Sequence, residues 1–292
     1  MKDIQASKYK VTHPITIQDL TTHEDFGASE KKLENELEDT REKLGELQDT
    51  LYAHGKYAVL VCLQGMDTAG KDSLIREVFK DFNARGVVVH SFKVPTELEK
   101  KHDFLWRHYI ALPARGKFGV FNRTHYENVL VTRVHPEYIL GEHLPHVHGV
   151  EDVDEAFWNR RFEQINAFEK TIAQNGTIIF KFFLNISKEE QKNRLLRRLD
   201  KPNKRWKFSP GDLKERKLWD SYMECYQEVL NRTSKDHAPW FVVPSDSKPA
   251  ARLIVASILL EEMKKYDDIQ EPPLDPDVAA KIDEYREQLK TE

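Results

Sequence analysis

The sequence predicts an α/β protein with a three-layer α/β/α architecture, in which helices cover both faces of a five-stranded, mainly parallel sheet. Two observations predict this fold class. Five short apolar runs alternate with amphipathic segments along the chain, and a glycine-rich loop joins the first apolar run to the segment after it. Strands that alternate with helices are typical of a parallel sheet that is buried on both faces.

The elements follow in chain order. Leucines spaced by three, four and seven residues predict a helix over 29–53 that ends at His54 and Gly55. We expect this helix to pack on the body, and a contribution to oligomerisation stays open. The predicted strands are 57–63, 87–92, 118–121, 177–184 and 240–244. The predicted helices are 74–82, 96–109, 154–174, one that starts with a capping box at Ser187 and Glu190, 209–232 and 248–265.

The chain is predicted to have three parts. Residues 1–55 form an N-terminal arm and a helix on the body, residues 56–268 form the main domain, and residues 269–292 form a proline-broken, weakly helical tail that wraps the surface. A length of 292 residues allows two domains, but α/β folds often use this much chain for one. We therefore expect one α/β domain with an extension at each end.

The composition excludes several functional classes. A formal net charge of −4 argues against a general nucleic-acid-binding protein, so an anionic ligand has to meet a local basic patch. The two cysteines, Cys62 and Cys225, have no CxxC neighbour, which excludes a disulfide scaffold and a zinc knuckle. The N-terminal residues lack an apolar export segment, and no run approaches the length of a membrane span. We expect a cytoplasmic protein.

The loop over 65–73 has the pattern G-x-x-x-x-G-K between a predicted strand and a predicted helix. In this context glycines let backbone N–H groups converge on phosphate oxygens at the positive end of the helix, and Lys71 adds a charge that can follow a transferred phosphoryl group. We therefore predict a phosphate-binding loop, and an accidental glycine-rich turn is the less favoured alternative. The other predicted ligand-binding residues of the loop are Gly65, Met66, Thr68, Ala69, Gly70 and Asp72.

Two carboxylates distinguish this loop from ordinary phosphate-binding loops. Asp72 occupies the position at which nucleoside triphosphatases carry the Ser or Thr that holds magnesium. Asp67 lies inside the loop, where a carboxylate repels phosphate unless a cation lies between them. We therefore predict that Asp67 is a Mg²⁺ ligand.

A second candidate site follows the predicted strand 118–121, at the carboxyl edge of the sheet where α/β proteins bind ligands. Asn122 stands where a Walker B strand ends in Asp, and the nearest acid is Glu127, which is the second candidate Mg²⁺ ligand. Arg123 is placed to neutralise charge on a phosphoryl group in transfer. The alternative is a simple turn, with Asn122 as a helix cap and Arg123 in solvent.

Positive charge is concentrated in the segment 194–207. In an otherwise acidic protein this density favours a lid, over about 190–212, that closes on phosphates, although most charge runs are only solvated faces. Its cations are Arg194, Arg197, Arg198, Lys201, Lys204, Arg205 and Lys207, of which Arg194, Arg198 and Lys201 are predicted phosphate ligands. Arg107 and Arg133 are further candidates, and Phe104 and Trp106 beside Arg107 form either a wall for a base or part of the core.

Taken together, the motifs resemble those of the family-2 polyphosphate kinases. The matching segments are G-M-D-T-A-G-K-D, K-V-P-T, H-D-F-L-W-R, F-N-R-T-H-Y-E and A-P-W-F-V-V-P-S-D, and the similarity covers about residues 30–265. The resemblance implies a P-loop kinase fold with a helical lid and transfer of the terminal phosphate of inorganic polyphosphate to a nucleotide, with Mg²⁺ as cofactor. By position, Asp67 and Lys71 match the Walker A acid and lysine of the family, Arg123 matches its Walker B arginine, and 194–207 matches its lid.

Two departures indicate a subclass. Asn122 replaces an Asp that many members carry, and Glu127 replaces a residue that is not acidic in many members, so the chain resembles the third subclass, which accepts nucleoside monophosphates and diphosphates. The expected partners are inorganic polyphosphate and adenine or guanine nucleotides, without nucleic acid or membrane, in a homo-oligomer that is a dimer or a tetramer.

Two alternatives remain open at this point. The first is an ATP-dependent nucleotide kinase of the thymidylate-kinase type, and the second is a non-catalytic protein that binds polyanions or nucleic acid. A phosphate acceptor is already anionic and needs no general base, and these motifs contain no convincing base. This agreement favours transfer between two phosphate chains.

Overall fold

The computed structural model describes residues 4–292 and contains one five-stranded sheet. The strands lie in the order β2-β3-β1-β4-β5, and every pair of neighbours is parallel. They are β1 (Ala58–Gln64), β2 (Val87–Ser91), β3 (Phe118–Asn122), β4 (Thr177–Asn185) and β5 (Trp240–Pro244). The predicted α/β fold class with a mainly parallel sheet is confirmed.

Eleven α-helices surround or extend from this sheet in the described part of the chain. They are α1 (Glu30–His54), α2 (Lys71–Val78), α3 (Trp106–Tyr109), α4 (Val131–Val134), α5 (Glu155–Gln174), α6 (Lys188–Asp200), α7 (Pro210–Lys217), α8 (Trp219–Thr233), α9 (Lys248–Met263), α10 (Pro276–Ala280) and α11 (Ile282–Thr291). A 3₁₀ segment, Pro202–Lys207, connects α6 to α7. No helix within residues 4–292 is both long and apolar enough to cross a membrane.

The central strand β1 is buried along its whole length between β3 and β4. Helix α1 packs against α9, and its leucines at the predicted spacing belong to the same core as the sheet. Ser29 Oγ accepts from the N–H of Lys32 at the start of α1, and Gly55 ends the helix in the left-handed region with φ of 68°. The N-terminal arm runs beside β5, where the N–H of Val11 donates to Trp240 O at 2.9 Å.

Four predicted features differ from the structure. The helix predicted over 74–82 begins earlier, at Lys71, and ends at Val78. The predicted helix over 96–109 is a 3₁₀ turn at Glu99–Lys101 followed by the short α3, because Asp103 Oδ1 accepts from the N–H of Leu105 and turns the chain between them. The predicted helix over 209–232 is divided at Leu218 into α7 and α8. At Ser187 only half of the predicted capping box forms, since the Glu190 carboxylate binds Arg194 instead.

The C-terminal tail lies on the outside of the protein, and every residue from 271 to 292 is exposed. Two short helices, α10 and α11, form within it. At the start of the tail, Gln270 O lies 3.2 Å from His54 Nδ1 on α1, and the predicted course of the rest along the surface stays a prediction.

Candidate active site

The glycine-rich loop connects β1 to α2 and requires glycine at two places. Gly65 has φ of 152°, and a Cβ atom there would lie 2.9 Å from the carbonyl oxygen of Leu184. Gly70 has φ of 116°, a conformation that side chains other than hydrogen disfavour. The loop therefore turns from the sheet into the helix along a path that depends on these two residues.

The carbonyl oxygens of residues 65–69 all accept hydrogen bonds from side chains. Lys71 Nζ donates to the first two at 2.6 and 3.3 Å, Gln191 Nε2 donates to the third at 3.1 Å, and Arg194 Nη1 donates to the last two at 2.9 Å each. In the part of the chain that the structure describes, the N–H groups of Asp67, Thr68 and Gly70 have no acceptor. The loop carbonyls are thus hydrogen-bonded to side chains, while several loop N–H groups are unpaired. Unpaired N–H groups in a loop before a helix can bind an anion.

Arg123 brings the two candidate metal ligands together. Its guanidinium lies 2.7 Å from Asp67 Oδ1 and 3.4 Å from Glu127 Oε2. Burial disfavours the charged guanidinium, but the adjacent Glu127 and Asp67 carboxylates outweigh burial and raise the pKa of Arg123. Although 56 positions separate Asp67 and Arg123 in sequence, the fold makes them direct partners.

Lys71 belongs to the same group of charges. Burial first, and then the positive charge of Arg123, lower the pKa of Lys71 to about 8, while Asp67, Glu127 and Asp72 oppose that change. The four residues predicted to act in catalysis, Asp67, Lys71, Arg123 and Glu127, thus lie in one electrostatic cluster at the carboxyl ends of β1 and β3.

The backbone of Arg123 is strained, with φ of 58° in the left-handed region, and its surroundings hold it there. The buried hydroxyl of Thr124 accepts from Tyr126 N and from Gln64 Nε2, both at 3.1 Å. These contacts fasten both sides of the turn, so that Arg123 projects toward the loop.

A buried polar network lies directly behind this turn. Lys181 Nζ donates to Glu169 Oε2 at 2.6 Å and to Tyr126 Oη at 2.8 Å, and Tyr126 Oη donates to Glu169 Oε1 at 2.7 Å. His125 Nε2 lies 3.0 Å from the same Glu169 oxygen, and burial lowers the pKa of His125. A buried ion pair that is fully hydrogen-bonded is costly to break from either side, so this network fixes the segment that carries Arg123 and Glu127.

Asn122 ends β3 and contacts the loop helix. Its Nδ2 donates to Asp72 Oδ1 at 2.8 Å and to Ser91 Oγ at 3.3 Å, while its Oδ1 is buried without a donor. Thr68 Oγ1 is also buried without a partner. Buried oxygens without partners at a site are the expected mark of a ligand, water or cation that completes them.

The donor set fits magnesium. No three His, Cys, Asp or Glu side chains within residues 4–292 gather at one point. Mg²⁺ does not require such a group, because it keeps several waters and binds through one or two carboxylates together with substrate phosphates. Asp67 and Glu127, which meet at Arg123, would supply such a pair.

The remaining arginine candidates have different surroundings. Arg107 is buried, donates to Lys93 O at 2.9 Å and lies over the Phe92 ring. It also pairs with Glu99 at 3.6 Å, and burial lowers the pKa of Arg107 while Glu99 and Glu127 counteract that change. Arg133 pairs with Glu228.

Arg194 uses its donors inside the protein. Its Nε bonds Glu190 at 2.8 Å, Nη1 bonds the two loop carbonyls, and Nη2 bonds the carbonyls of Ser245 and Asp246 at 2.5 and 2.9 Å. It is only 4% exposed. The arginine therefore secures the loop to α6 and the end of β5, and we do not assign it a phosphate contact.

The two other predicted lid ligands, Arg198 and Lys201, differ in exposure. Arg198 Nη1 bonds Lys207 O at 3.3 Å and Asp212 Oδ2 at 3.4 Å. Burial and the negative charge of Asp67 raise the pKa of Asp212 at the start of α7. Lys201 is exposed, and its ammonium has no recorded partner in the described residues.

Sequence reasoning missed Gln191 and Asp212. Asp212 forms a reciprocal capping box with Ser209, a pattern readable from the spacing alone. Gln191 precedes Arg194 by three positions on the same face of α6, but the sequence did not show that this face meets the loop, so the contact is seen only in the structure.

Comparison with known proteins agrees with this architecture. A family model described as polyphosphate kinase 2 (PPK2) matches residues 27–271. The chain is 48% identical over 223 residues to an ADP-polyphosphate phosphotransferase of Rhodopseudomonas palustris, covering 76% of each chain. It is 46% identical over 222 residues to an AMP/ADP-polyphosphate phosphotransferase of Meiothermus ruber, covering 76% of this chain and 78% of the relative.

A solved structure extends the likeness to the fold. The crystal structure of polyphosphate kinase 2 from Arthrobacter aurescens TC1 aligns with a TM-score of 0.89 and 37% identity, over 98% of this chain and 99% of the other. The family match and this overlap span the glycine loop, the Arg123 turn and the lid. The chain belongs to the polyphosphate kinase 2 family.

Proposed function

We propose that this enzyme transfers the terminal phosphate of inorganic polyphosphate to nucleoside monophosphates and diphosphates, reversibly and with Mg²⁺. The observation that carries the proposal is the loop 65–70, which has unpaired N–H groups. Lys71, Arg123 and two carboxylates lie beside these N–H groups. Such a site has donors for two phosphate chains and acids for a cation between them.

The chemistry requires no proton to be removed. A terminal phosphate oxygen of the acceptor attacks the terminal phosphorus of polyphosphate, a new P–O bond forms, and the shortened polyphosphate leaves with the electrons of the broken P–O bond. The nearby histidine His125 is tied to Glu169, and burial lowers its pKa, so it is not poised as a base. Lys71 and Arg123 neutralise charge on the transferred group.

The loop also orients the phosphates and restricts water. Unpaired N–H groups hold phosphate oxygens in a fixed direction. Much of the entropy lost in aligning donor and acceptor is therefore lost when they bind and not in the transfer step. The cations of the lid attract the polyanion and cover it, which limits hydrolysis. When bound at Asp67 and Glu127, Mg²⁺ would supply charge neutralisation between donor and acceptor phosphates.

Use of both AMP and ADP is part of the proposal. Asn122 and Glu127 match the third subclass, and the relative from Meiothermus ruber is described as acting with AMP and ADP. We also propose adenine and guanine nucleotides as acceptors, a cytoplasmic location, and a homo-oligomer that is a dimer or a tetramer.

A nucleotide assay without ATP tests the function. The wild-type enzyme is given polyphosphate, Mg²⁺ and either AMP or ADP, and the formation of ADP and ATP is followed by chromatography. We expect both products, and none with a metal chelator. Formation of product only when ATP replaces polyphosphate would instead indicate an ATP-dependent nucleotide kinase. Polyphosphate binding without any turnover would indicate a polyanion-binding protein.

A further inference from the structure

A buried glutamine connects the lid helix to the glycine loop. Gln191, near the start of α6, is 2% exposed, and its Nε2 donates to Asp67 O at 3.1 Å. Its Oε1 accepts from Arg216 Nη1, on α7, at 2.7 Å. The same Arg216 nitrogen also donates to Lys188 O at 2.7 Å. A continuous chain of hydrogen bonds therefore leads from α7 through α6 to the backbone of Asp67.

The orientation of the amide follows from its two partners. A guanidinium can only donate and a carbonyl can only accept, so the Gln191 oxygen has to face Arg216 and its nitrogen has to face Asp67. The reverse orientation would place donor against donor and acceptor against acceptor. If Arg216 is removed, the buried Oε1 loses its donor and the fixed orientation is lost.

Asp67 O differs from its neighbours in the loop. The next two carbonyls are held by Arg194, which is itself anchored to Glu190 and to the carbonyls of Ser245 and Asp246. The carbonyl of Asp67 is held by a residue that is in turn tied to α7. Among the loop carbonyls, this one is thereby connected to the helix that follows the basic segment.

The peptide between Asp67 and Thr68 has a direct bearing on the site. A planar trans peptide directs its carbonyl and its N–H in opposite directions, so the bond from Gln191 to Asp67 O turns the unpaired N–H of Thr68 away from Gln191. Thr68 has φ of 67°, an uncommon conformation that needs outside support. The Asp67 carboxylate extends from the same residue to Arg123.

We propose that Arg216 and Gln191 are positioning residues that couple the packing of α7 to the orientation of the Asp67–Thr68 peptide. With α7 docked, the peptide presents one donor to phosphate and holds the Asp67 carboxylate toward the metal position. We call the hydrogen bonds from Arg216 through Gln191 to Asp67 O the relay. When the relay is broken, neither the Thr68 N–H nor the Asp67 carboxylate is held in its orientation. This inference rests on the proposed function for its kinetic readout, but its structural readout is independent of any activity.

Two variants separate this relay from simple anchoring of the lid. Arg216→Ala removes the contact with α7. Gln191→Glu keeps a partner for Arg216, and even gives it a full charge, but sets a carboxylate oxygen against Asp67 O. If the pair only anchors α7, Gln191→Glu should retain wild-type activity. If it is a relay, both variants should lose about tenfold or more in kcat and need more Mg²⁺, with a KM for polyphosphate near wild type.

Controls come from the same helix. Lys217→Ala removes an exposed neighbouring cation without a recorded partner in the described residues and should keep wild-type rates. Arg216→Lys retains one donor and should recover part of kcat.

The double variant Arg216→Ala with Gln191→Glu should lose less kcat than the product of the two single losses, because both residues act through one chain of hydrogen bonds. Thermal unfolding checks that each variant is folded.

Hydrogen exchange of the backbone supplies the readout without substrate. Within 67–70 the bonded amide is the N–H of Ala69, which donates to Met66 O at 3.0 Å, so its exchange reports the order of the loop. Exchange of this amide should be about tenfold faster in Arg216→Ala and Gln191→Glu than in wild type, and unchanged in Lys217→Ala. Unchanged exchange in both relay variants would overturn the proposal even if the enzyme is active. Absence of polyphosphate-dependent turnover in wild type would defeat the proposed function, while the exchange result would still decide the relay.

Discussion

The glycine-loop region and the lid both contain cations, but they use them in different ways. In the loop region Lys71, Arg123 and Arg194 are bonded to carbonyls or carboxylates of the protein itself. In the lid Lys201 and Lys204 are exposed and have no side-chain partner in the described residues. The loop region is therefore organised before a ligand binds, whereas the exposed lysines of the lid can form ion pairs with a bound polyanion. Large effects on rate should therefore come from the loop, and small, salt-dependent effects should come from the lid.

The largest expected effect comes from Lys71→Ala. It removes both the charge beside the transferred phosphate and the donor to the carbonyls of Gly65 and Met66, so we expect loss of transfer by about 10³-fold or more. Steady-state rates with ADP and polyphosphate measure it. The matched control is Lys80→Ala, an exposed lysine without a recorded side-chain partner in the described part of the chain, which should keep normal rates. A near-normal rate in Lys71→Ala would remove the loop from the mechanism.

Asp67→Asn should have the next largest effect. The amide keeps the shape of the side chain but loses the charge that faces Arg123 and the cation, so we expect a fall of about 10²-fold in kcat. Circular dichroism should show an unchanged fold. Full activity at ordinary Mg²⁺ would show that the carboxylate is not part of the metal position.

Glu127→Gln distinguishes metal use from nucleotide binding. Glu127 is the more distant of the two carboxylates on Arg123, at 3.4 Å, so its loss should raise the Mg²⁺ needed for half-maximal rate by about tenfold and change the nucleotide KM by less than about twofold. Titration of Mg²⁺ at saturating substrates gives the first value, and titration of ADP at saturating Mg²⁺ gives the second. An unchanged Mg²⁺ dependence would contradict the assigned role.

The pH dependence tests whether the charge of Lys71 matters in the free enzyme. Its pKa is lowered to about 8 by burial and by Arg123, so the ammonium loses its proton as pH rises through that value. Since transfer needs the charged form, kcat/KM should fall about tenfold between pH 7 and pH 9. Phosphate in the site favours the charged form, so kcat should fall at higher pH than kcat/KM. A flat kcat/KM over this range would argue against the prediction.

The smallest expected effect concerns the lid. A double variant, Lys201→Ala with Lys204→Ala, removes two exposed cations and should raise the KM for long polyphosphate by about threefold to tenfold at low salt, with little change in kcat. The effect should shrink as salt is added. Lys264→Ala, an exposed lysine at the end of α9 without a recorded side-chain partner in the described residues, is the control. A fall in kcat as large as that of the loop variants would erase the distinction between the two regions.

Several features could be predicted because they depend on neighbours in sequence. The five strands and the long helices are encoded in local apolar patterns, and the turn at the loop requires Gly65 and Gly70 at positive φ. The pattern G-x-x-x-x-G-K predicted Lys71 in a phosphate-binding loop before a helix, and in the structure Lys71 is the first residue of α2. The turn at Asp103 was harder because it depends on one side-chain contact. The break at Leu218 was also missed, because the apolar pattern over 209–232 runs through it.

The candidate site was predictable in its residue types but not in their pairing. The sequence indicated Asp67, Arg123 and Glu127 separately, and their convergence depends on β1 and β3 being neighbours in the sheet. The basic run over 194–207 could not reveal that Arg194 faces inward, since a helix turns adjacent cations toward opposite environments. Gln191 carries no charge and belongs to no motif, so only its contacts disclose it.

By itself the sequence determined the alternation of strands and helices, the glycine loop and the chemical character of the site, because these follow from short-range periodicity and backbone sterics. The tertiary structure decided which charges meet: Arg123 with both carboxylates, Arg194 with the loop carbonyls, Arg133 with Glu228, and Gln191 between the loop and α7. The physical reason is that an ion pair or a buried hydrogen bond depends on distance and on exclusion of water, and packing between residues far apart in the chain sets both.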